Sequence, residues 1–188
     1  MPLILFNKPY GVMSQFSSHS KHQSLADYLN MPDIYPAGRL DKDSEGLMLL
    51  TSDGRLQHAI SHPDNAKEKT YLVQIEGKLD AKNLTKLREP INLGNFTTRH
   101  CKAQQIEAPN WLWDRNPPIR TRLSKPTGWL AITLTEGKNR QVRRMTAAIG
   151  LPTLRLIRYA IGPFSLLSHP LLPGEWHELD PKAWLAGD

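Results

Sequence analysis

A charged loop that runs directly into an apolar segment is the feature that most restricts how this chain can fold. Residues 38–47 contain three carboxylates and two cations together with two glycines, and the apolar run continues through residue 50. Because unpaired charge is costly to bury, the loop must lie at the edge of a hydrophobic core with its charges paired, solvated or used. Two interpretations follow: a solvated hairpin end with surface ion pairs, or a functional loop in which other residues converge on Asp41.

Short strands and helices are mixed along the chain without a regular alternation. The pattern predicts strands at residues 3–6, 47–50, 70–76, 129–134 and 154–158, and helices at residues 24–29, 55–60, 138–149 and between Asp80 and Pro90. Residues 109–128, rich in proline, tryptophan and arginine, are predicted to form a long irregular excursion. Since no glycine-rich phosphate loop occurs, the pattern favours the α+β class with an antiparallel or mixed sheet.

Length and composition are typical of a soluble globular protein. The 188 residues suffice for one large or two small domains with a hydrophobic core. No apolar run approaches the roughly 18 residues that span a bilayer, and the N-terminus lacks the features of a signal peptide, so we expect a cytoplasmic protein. The single cysteine, Cys101, excludes an internal disulfide, and the histidines show no zinc spacing. We therefore expect neither a metal nor a cofactor.

Positive charge is concentrated in two segments of a chain whose formal net charge is +6. Residues 136–159 contain six cations and one anion, and residues 99–125 contain six cations and two anions. Arginine exceeds lysine in both segments, which suits forked contacts with phosphates and stacking on bases. The distribution favours a polyanionic partner, because each phosphate contact releases condensed counterions. Basic patches that serve solubility alone are the alternative.

The last predicted helix places its cations on separate lines. The residues predicted to pack on the sheet are Val142, Met145 and Ile149. Arg140 and Arg144, four residues apart, form a ridge on the opposite side. Arg143 shares its line with Ala147 and Gly150, whose small size would let a neighbouring element approach and bury the guanidinium in part. A partly buried arginine needs a carboxylate or an anionic ligand, for which Asp41 is the natural candidate; the alternative is an Arg143 that extends to solvent.

Five segments, in this order, resemble the motifs of the RsuA-type ribosomal pseudouridine synthases. They are residues 7–12 (NKPYGV), 38–47 (GRLDKDSEGL), 69–71 (KTY), 136–145 (EGKNRQVRRM) and 154–158 (LRLIR). The resemblance implies a pseudouridine synthase fold, with helices flanking a central mixed or antiparallel sheet and the active-site cleft across it. It implies a single catalytic domain over residues 1–188, with two subdomains. Because the first motif begins at Asn7, we expect no N-terminal S4-type domain, and the chain is most similar to large-subunit members of the family.

The resemblance also implies an activity, the isomerisation of a uridine in RNA to pseudouridine without a cofactor. Asp41 would be the essential carboxylate, and whether it attacks C1′ of the sugar or assists an elimination stays open. Arg143 would pair with Asp41, and Tyr71 would stack under the base and assist the final deprotonation at C5. For an isolated tyrosine, a core or surface position is the alternative. Arg39 would fill the gap that the flipped uridine leaves.

The same resemblance, together with the charge distribution, indicates contacts with RNA. Candidate phosphate contacts are Lys8, Arg140, Arg144, Arg155 and Arg158. Trp111, Trp113, Arg115 and Arg120 belong to a stretch that could clasp an RNA stem or loop by stacking and charge. The expected partner is large-subunit ribosomal RNA or a pre-ribosomal particle, and a monomer is expected.

Two other classes of function stay open at this point. One is a non-catalytic ribosome-assembly protein that binds RNA with the same fold. The other is a glycoside hydrolase that uses Asp41 with Asp43 or Glu45. The hydrolase is disfavoured because Asp41 and Asp43 are too close in sequence to flank a sugar from opposite sides.

Overall fold

The computed structural model of the chain describes residues 1–120, 122 and 124–185, and it contains many short elements. Its strands are β1 (Leu3–Lys8), β2 (Tyr35–Pro36), β3 (Glu45–Thr51), β4 (Lys69–Glu76), β5 (Lys102–Ile106), β6 (Thr127–Leu134), β7 (Thr153–Ile161), β8 (Phe164–Ser165) and β9 (Trp176–Leu179). Its α-helices are α1 (Gly54–Ser61), α2 (Ala81–Arg88), α3 (Gln141–Ala148) and α4 (Lys182–Leu185). The chain divides into two compact units: unit 1 is Met1–Lys67 with Arg158–Asp188, and unit 2 is Glu68–Ile157.

β1 and β3 form the core of unit 1. Every residue of both strands is buried, and the strands pair antiparallel with Leu5 opposite Leu49. β9 pairs antiparallel with β1, and β2 pairs antiparallel with β3. Burial on both faces explains why these strands have continuous apolar runs instead of an alternating pattern. Their polar ends, Lys8 and Glu45, are also buried, and these ends lead into the candidate site.

Unit 2 is built on an antiparallel sheet in which β6 lies between β5 and β4. On β4, Tyr71 lies opposite Ile132 of β6. α2 packs against β5 and buries Leu87, and α3 buries Val142 and Met145. β7 belongs to both units, because the boundary between the units falls after Ile157.

The predicted α+β class is confirmed, and each predicted strand is present. β5 (KAQQI) and β9 (WHEL) were not predicted, because both are polar and mostly exposed and so carry no hydrophobic period. α3 begins at Gln141 instead of residue 138, since Arg140 has a left-handed backbone with φ of 50°, which a helix interior excludes. The helix predicted at residues 24–29 is wrong in type: it is a single 3₁₀ turn at Leu25–Asp27.

The predicted excursion lacks regular structure over its described residues before β6. Two residues of that prediction, 121 and 123, lie outside the described part of the chain, as do the last three residues of the predicted domain. Among the described helices, none has the length and apolar character needed to cross a membrane. Over its described residues before β6 the excursion forms no strand or helix, and the side-chain contacts described below hold it in place.

Candidate active site

The predicted charged loop forms a tight turn from Asp41 to Ser44, the acidic turn, directly before β3. The amide of Ser44 donates to the carbonyl of Asp41 (3.0 Å) and closes the turn. The amide of Gly11 donates to the carbonyl of Lys42 (2.8 Å), which ties the turn to the segment after β1. Asp41 is half-buried, whereas Ser44 and Glu45 are 1% exposed. The turn therefore holds Asp41 on a fixed backbone while leaving part of its side chain accessible.

Gly38 and Gly46 flank the acidic turn, and a glycine is required at each position for a different reason. Gly38 and Gly46 both have left-handed backbones, with φ of 94° and 104°. A Cβ on Gly46 would lie 2.4 Å from the carbonyl oxygen of Arg158, so a side chain there would push β7 away from β3. A Cβ on Gly38 would meet no atom within 4 Å. Gly46 is therefore required for packing and conformation, and Gly38 for conformation alone.

Lys8, at the end of β1, is completely buried next to the acidic turn. Its ammonium donates to the carbonyls of Pro9 and Val12, at 2.8 Å each, and lies 3.5 Å from the carbonyl of Lys42. Burial lowers the pKa of Lys8 from 10.5 to about 7, an effect that nearby carboxylates, Glu45 foremost, oppose. The predicted phosphate contact of Lys8 is corrected: its ammonium has no exposed surface and instead links the end of β1 to the turn.

Arg158, on β7, is also directed at backbone carbonyls and is 3% exposed. Its Nε donates to the carbonyl of Leu47 (2.8 Å), and its Nη1 lies 3.5 Å from the carbonyl of Arg39. The predicted phosphate contact of Arg158 is therefore corrected as well, because the guanidinium connects the backbone before and after the acidic turn. The side chain of Arg39 is exposed, as its predicted role requires.

Tyr71 and Arg143 belong to unit 2, and Asp41 belongs to unit 1. Tyr71, on β4, is 9% exposed. Arg143, on α3, is half-buried, which agrees with the partial burial expected of it. Ala147, which was expected to allow a neighbouring element to approach, is exposed. Both candidate side chains thus project from regular elements, whose backbones are held by sheet and helix hydrogen bonds.

Two residues that the sequence analysis did not single out fix the beginning of α3. The carboxylate of Glu136 accepts hydrogen bonds from the amide of Arg99 (2.8 Å) and from Nε2 of Gln141 (2.6 Å). The side-chain oxygen of Gln141 accepts from the amide of Lys138 (3.0 Å). The available signal was a glutamate and a glutamine five residues apart at a predicted helix start. Because Arg140 between them has a left-handed backbone, helical periodicity alone does not predict where α3 begins.

Arg144 holds a hairpin of unit 2 that comprises residues 91–98. Its Nη2 donates to the carbonyl of Leu93 and to Oδ1 of Asn95, the latter at 2.7 Å. Its guanidinium carbon lies 4.9 Å from the ring centroid of Phe96. Both N–H groups of Nη2 and the flat face of the guanidinium are thus used within the protein, and the phosphate contact of Arg144 stays a prediction.

Arginines also hold the tryptophan-rich excursion. Arg155 is 6% exposed, donates to the carbonyl of Trp113 (3.0 Å) and lies 5.7 Å from the centroid of its ring. Arg115 donates to the carbonyls of Pro117 (2.8 Å) and Pro118 (3.1 Å). The phosphate contact predicted for Arg155 is corrected for this reason, and Arg115 stabilises the excursion itself.

The remaining predicted RNA contacts lie nearer the surface. Arg120 and Arg140 are exposed, and Trp111 and Trp113 are half-buried with ring centroids 6.5 Å apart. These four residues and Arg39 stay predicted contacts. Within the described residues, no group of three or more histidine, cysteine, aspartate or glutamate side chains could hold a metal ion.

Comparison with known proteins points to one family. The family model for RNA pseudouridylate synthases matches residues 2–148. Ribosomal large subunit pseudouridine synthase E of Vibrio parahaemolyticus is 51% identical over 177 residues, which are 94% of this chain and 73% of that protein. The protein of the same name from Xanthomonas campestris is 50% identical over 183 residues, with 96% and 97% of the two chains covered. The predicted similarity to large-subunit members of the family is confirmed.

A solved structure has the same fold. The match is described as a crystal structure of pseudouridylate synthase; its TM-score is 0.77 at 28% identity, over 98% of this chain and 72% of that one. The region that the family model matches includes Asp41, Tyr71 and Arg143. The extent of the match, the identities and the shared fold together show that this chain belongs to the RNA pseudouridylate synthase family.

Proposed function

We propose that this chain converts one uridine of large-subunit ribosomal RNA to pseudouridine, with Asp41 as the essential carboxylate. Family membership supports the reaction, and the names of the two relatives at 51% and 50% identity support the class of RNA. One observation carries the role of Asp41. It lies on a hydrogen-bonded turn and keeps solvent access, while the nearby Glu45 is buried.

The proposed reaction is an isomerisation, so the RNA keeps its atomic composition. The bond from C1′ of the ribose to N1 of the uracil breaks, the base turns, and C1′ bonds to C5. The proton on C5 is released, and N1 gains one. The carboxylate of Asp41 can serve either by attacking C1′ or by taking part in an elimination. Because no oxidation and no transfer to a second molecule occur, the scheme requires no cofactor.

We assign Arg143, Tyr71 and Arg39 to the same reaction. A guanidinium paired with Asp41 would keep the carboxylate ionised at neutral pH. The ring of Tyr71 would stack under the base and offset part of the energy, about a few kcal/mol, that base flipping costs. Arg39, with its exposed side chain before the acidic turn, would fill the space that the flipped uridine leaves. These assignments rest on the motif resemblance and on the chemistry of the side chains.

The position of Glu45 argues against a two-carboxylate hydrolase. Its side chain belongs to a buried strand and is 1% exposed, so it cannot serve as a second carboxylate beside a sugar. Asp43 lies on the same four-residue turn as Asp41, and the two cannot flank a sugar from opposite sides. The turn therefore supports chemistry in which one carboxylate acts.

Release of tritium from RNA labelled at uracil C5 tests the proposal. The substrates are an unmodified large-subunit ribosomal RNA transcript and assembled large subunits that lack the modification. Wild-type protein is expected to release label from one of these substrates to water. Asp41→Asn, which keeps the size but removes the charge, is expected to release none. Asp43→Asn makes the same change two residues away on the same turn and is expected to release label.

The outcomes distinguish the enzyme from a binding protein. No release by the wild type from either substrate would contradict the enzymatic proposal, and a binding-only protein would then show RNA affinity in both forms. Undiminished release by Asp41→Asn would exclude Asp41 as the essential carboxylate. A difference between the two substrates would identify free RNA or the particle as the substrate.

A further inference from the structure

A loop in unit 1, residues 13–25, carries basic side chains up to the acidic turn. Its ends are fixed by hydrogen bonds from the amide of Met13 to the carbonyl of Gln23 (2.8 Å) and from the amide of Leu25 to the carbonyl of Gln15 (2.9 Å). Its tip, residues 19–22 (HSKH), is closed by a β-bridge and is called the histidine tip below. The tip is thus an anchored structure that presents its side chains in a defined place.

The two histidines of the tip form a flat aromatic surface. The rings of His19 and His22 stack with centroids 4.9 Å apart and planes 14° from parallel. His19 and Lys21 are exposed, and His22 is half-buried. Nδ1 of His19 accepts a hydrogen bond from the amide of Lys21 (3.2 Å), which holds the ring in place.

The histidine tip meets the acidic turn through two basic groups. Nε2 of His22 lies 3.1 Å from the ammonium of Lys42, the residue directly after Asp41. An ammonium can only donate, so His22 must accept through a lone pair and is neutral in this contact. Partial burial lowers the pKa of His22, and the charges of Lys42, His19 and Lys21 lower it further. The groups that act on His22 are therefore all bases, and a bound anion would relieve their mutual repulsion.

We propose that the histidine tip and Lys42 form a binding site for a phosphodiester of the RNA strand close to the target uridine. The proposal deepens the function proposed above and rests on it. The site is adjacent to Asp41 in the chain, so a phosphate bound by Lys42 belongs to the reacting nucleotide or one of its neighbours. Lys21 and His22 add donors from a second segment, and the stacked rings offer a flat face to a base.

Phosphate binding at this site takes up a proton. The phosphate attracts Lys42 and favours the charged form of His22, so the pKa of that imidazole rises in the complex. Affinity for RNA is then expected to increase as the pH falls from about 8 to about 6, through the range where His22 gains its proton in the complex. His19, Lys21 and Lys42 are the basic groups that face the same ring.

Two substitutions test the site without changing the acidic turn. His22→Gln keeps a polar side chain that cannot become charged, and Lys21→Ala removes one exposed cation. Binding is measured as the dissociation constant for an unmodified large-subunit rRNA transcript at several salt concentrations. Each variant is expected to bind about three- to tenfold more weakly, and Lys21→Ala to lower the salt slope by about one.

Lys182→Ala serves as the matched control, because Lys182 is an exposed lysine of the same unit. It is expected to leave the dissociation constant and the salt slope unchanged. His22→Gln is also expected to abolish most of the strengthening between about pH 8 and about pH 6 that the wild type shows. Unfolding midpoints in urea equal to the wild type establish that the variants fold.

Wild-type affinity, salt slope and pH dependence in both tip variants would overturn the proposal. That result would leave the proposed function intact if the wild type still releases tritium. Conversely, a wild type that binds RNA without releasing label would contradict the proposed function. The variants would then still decide whether the histidine tip binds RNA.

Discussion

At the scale of single residues, the carboxylates in and next to the acidic turn differ in how far they are buried. Asp41 and Asp43 are half-buried, whereas Glu45 is 1% exposed. All three carboxylates act electrostatically on the ammonium of Lys8. The turn therefore combines a carboxylate that substrate can reach with a buried cation that stabilises the charged segment from inside.

Lys8 gives a prediction about the pH dependence of stability. Its folded pKa, about 7, lies below the unfolded value of 10.5, so between these values the unfolded chain holds a proton that the folded protein has lost. The free energy of unfolding is therefore expected to rise with pH in this window, by up to about 1.4 kcal/mol per pH unit from this group. Urea unfolding of the wild type and of Lys8→Met at about pH 7 and about pH 9 measures the effect.

Lys8→Met is expected to lack this contribution, because methionine fills the same space without a proton to lose. Near pH 7 the substitution itself is expected to lower stability, since it leaves the carbonyls of Pro9 and Val12 and the buried carboxylate of Glu45 without the ammonium. The same pH dependence in both proteins would show that Lys8 keeps an ordinary pKa in the folded state.

Four cations that were predicted to contact phosphate make hydrogen bonds within the protein, and one physical cause explains why the sequence did not indicate this. Lys8, Arg144, Arg155 and Arg158 are cations in or near recognised motifs, and a sequence shows their charge but not their burial. In the structure, each donates to backbone carbonyls and holds a turn, a hairpin or the excursion. Half-burial of Arg143 could be predicted, because helical periodicity places it beside the apolar face that Val142 and Met145 form.

At the scale of elements, the two glycines of the acidic turn provide a matched pair of substitutions. Gly46→Ala adds a Cβ that would lie 2.4 Å from the carbonyl oxygen of Arg158, in addition to the strain of a φ of 104°. We expect it to lower the free energy of unfolding by about 2–4 kcal/mol. Gly38→Ala, with a φ of 94° and open space around the Cβ, is expected to cost about 1 kcal/mol. Equal costs in urea unfolding would contradict the close approach of β7 to β3.

Substitution of Arg144 tests whether this residue of α3 binds RNA or holds the hairpin at residues 91–98. Because its guanidinium bonds the carbonyl of Leu93, we expect Arg144→Ala to cost about 1–2 kcal/mol of stability. The amides of Leu93 and Thr98, which close the hairpin, are expected to exchange faster with solvent. The salt slope of RNA binding is expected to stay unchanged. A slope lowered by about one without faster exchange would instead support Arg144 as a phosphate contact.

A strand or helix could be predicted where its own segment carries a clear apolar pattern or capping residue. β1 and β3 are apolar throughout and were predicted, and the cap at Asp80 correctly placed the start of α2. β5 and β9 owe their strand conformation to pairing with β6 and β1, which no local pattern encodes. The late start of α3 follows the left-handed Arg140 and the hydrogen bonds of Glu136, one of which comes from the amide of Arg99, distant in sequence.

At the scale of the whole molecule, the order of the motifs was sufficient to predict the fold. The predicted family was confirmed by a match over residues 2–148 and by a solved structure at a TM-score of 0.77. Which cations are accessible could not be predicted as well, because a formal net charge of +6 does not reveal which cations are used inside the protein. Arg39, Arg120 and Arg140 keep exposed side chains, and the histidine tip adds a basic surface that the charge pattern did not reveal.

Mapping pseudouridines in ribosomal RNA tests the central claim most directly. RNA is isolated from cells that lack the gene and from the same cells supplied with the wild type or with Asp41→Asn. Carbodiimide treatment followed by primer extension then marks each pseudouridine as a stop. The proposed function predicts one stop in large-subunit RNA that the deletion removes, the wild type restores and Asp41→Asn does not. An unchanged set of stops in the deletion, or full restoration by Asp41→Asn, would contradict it.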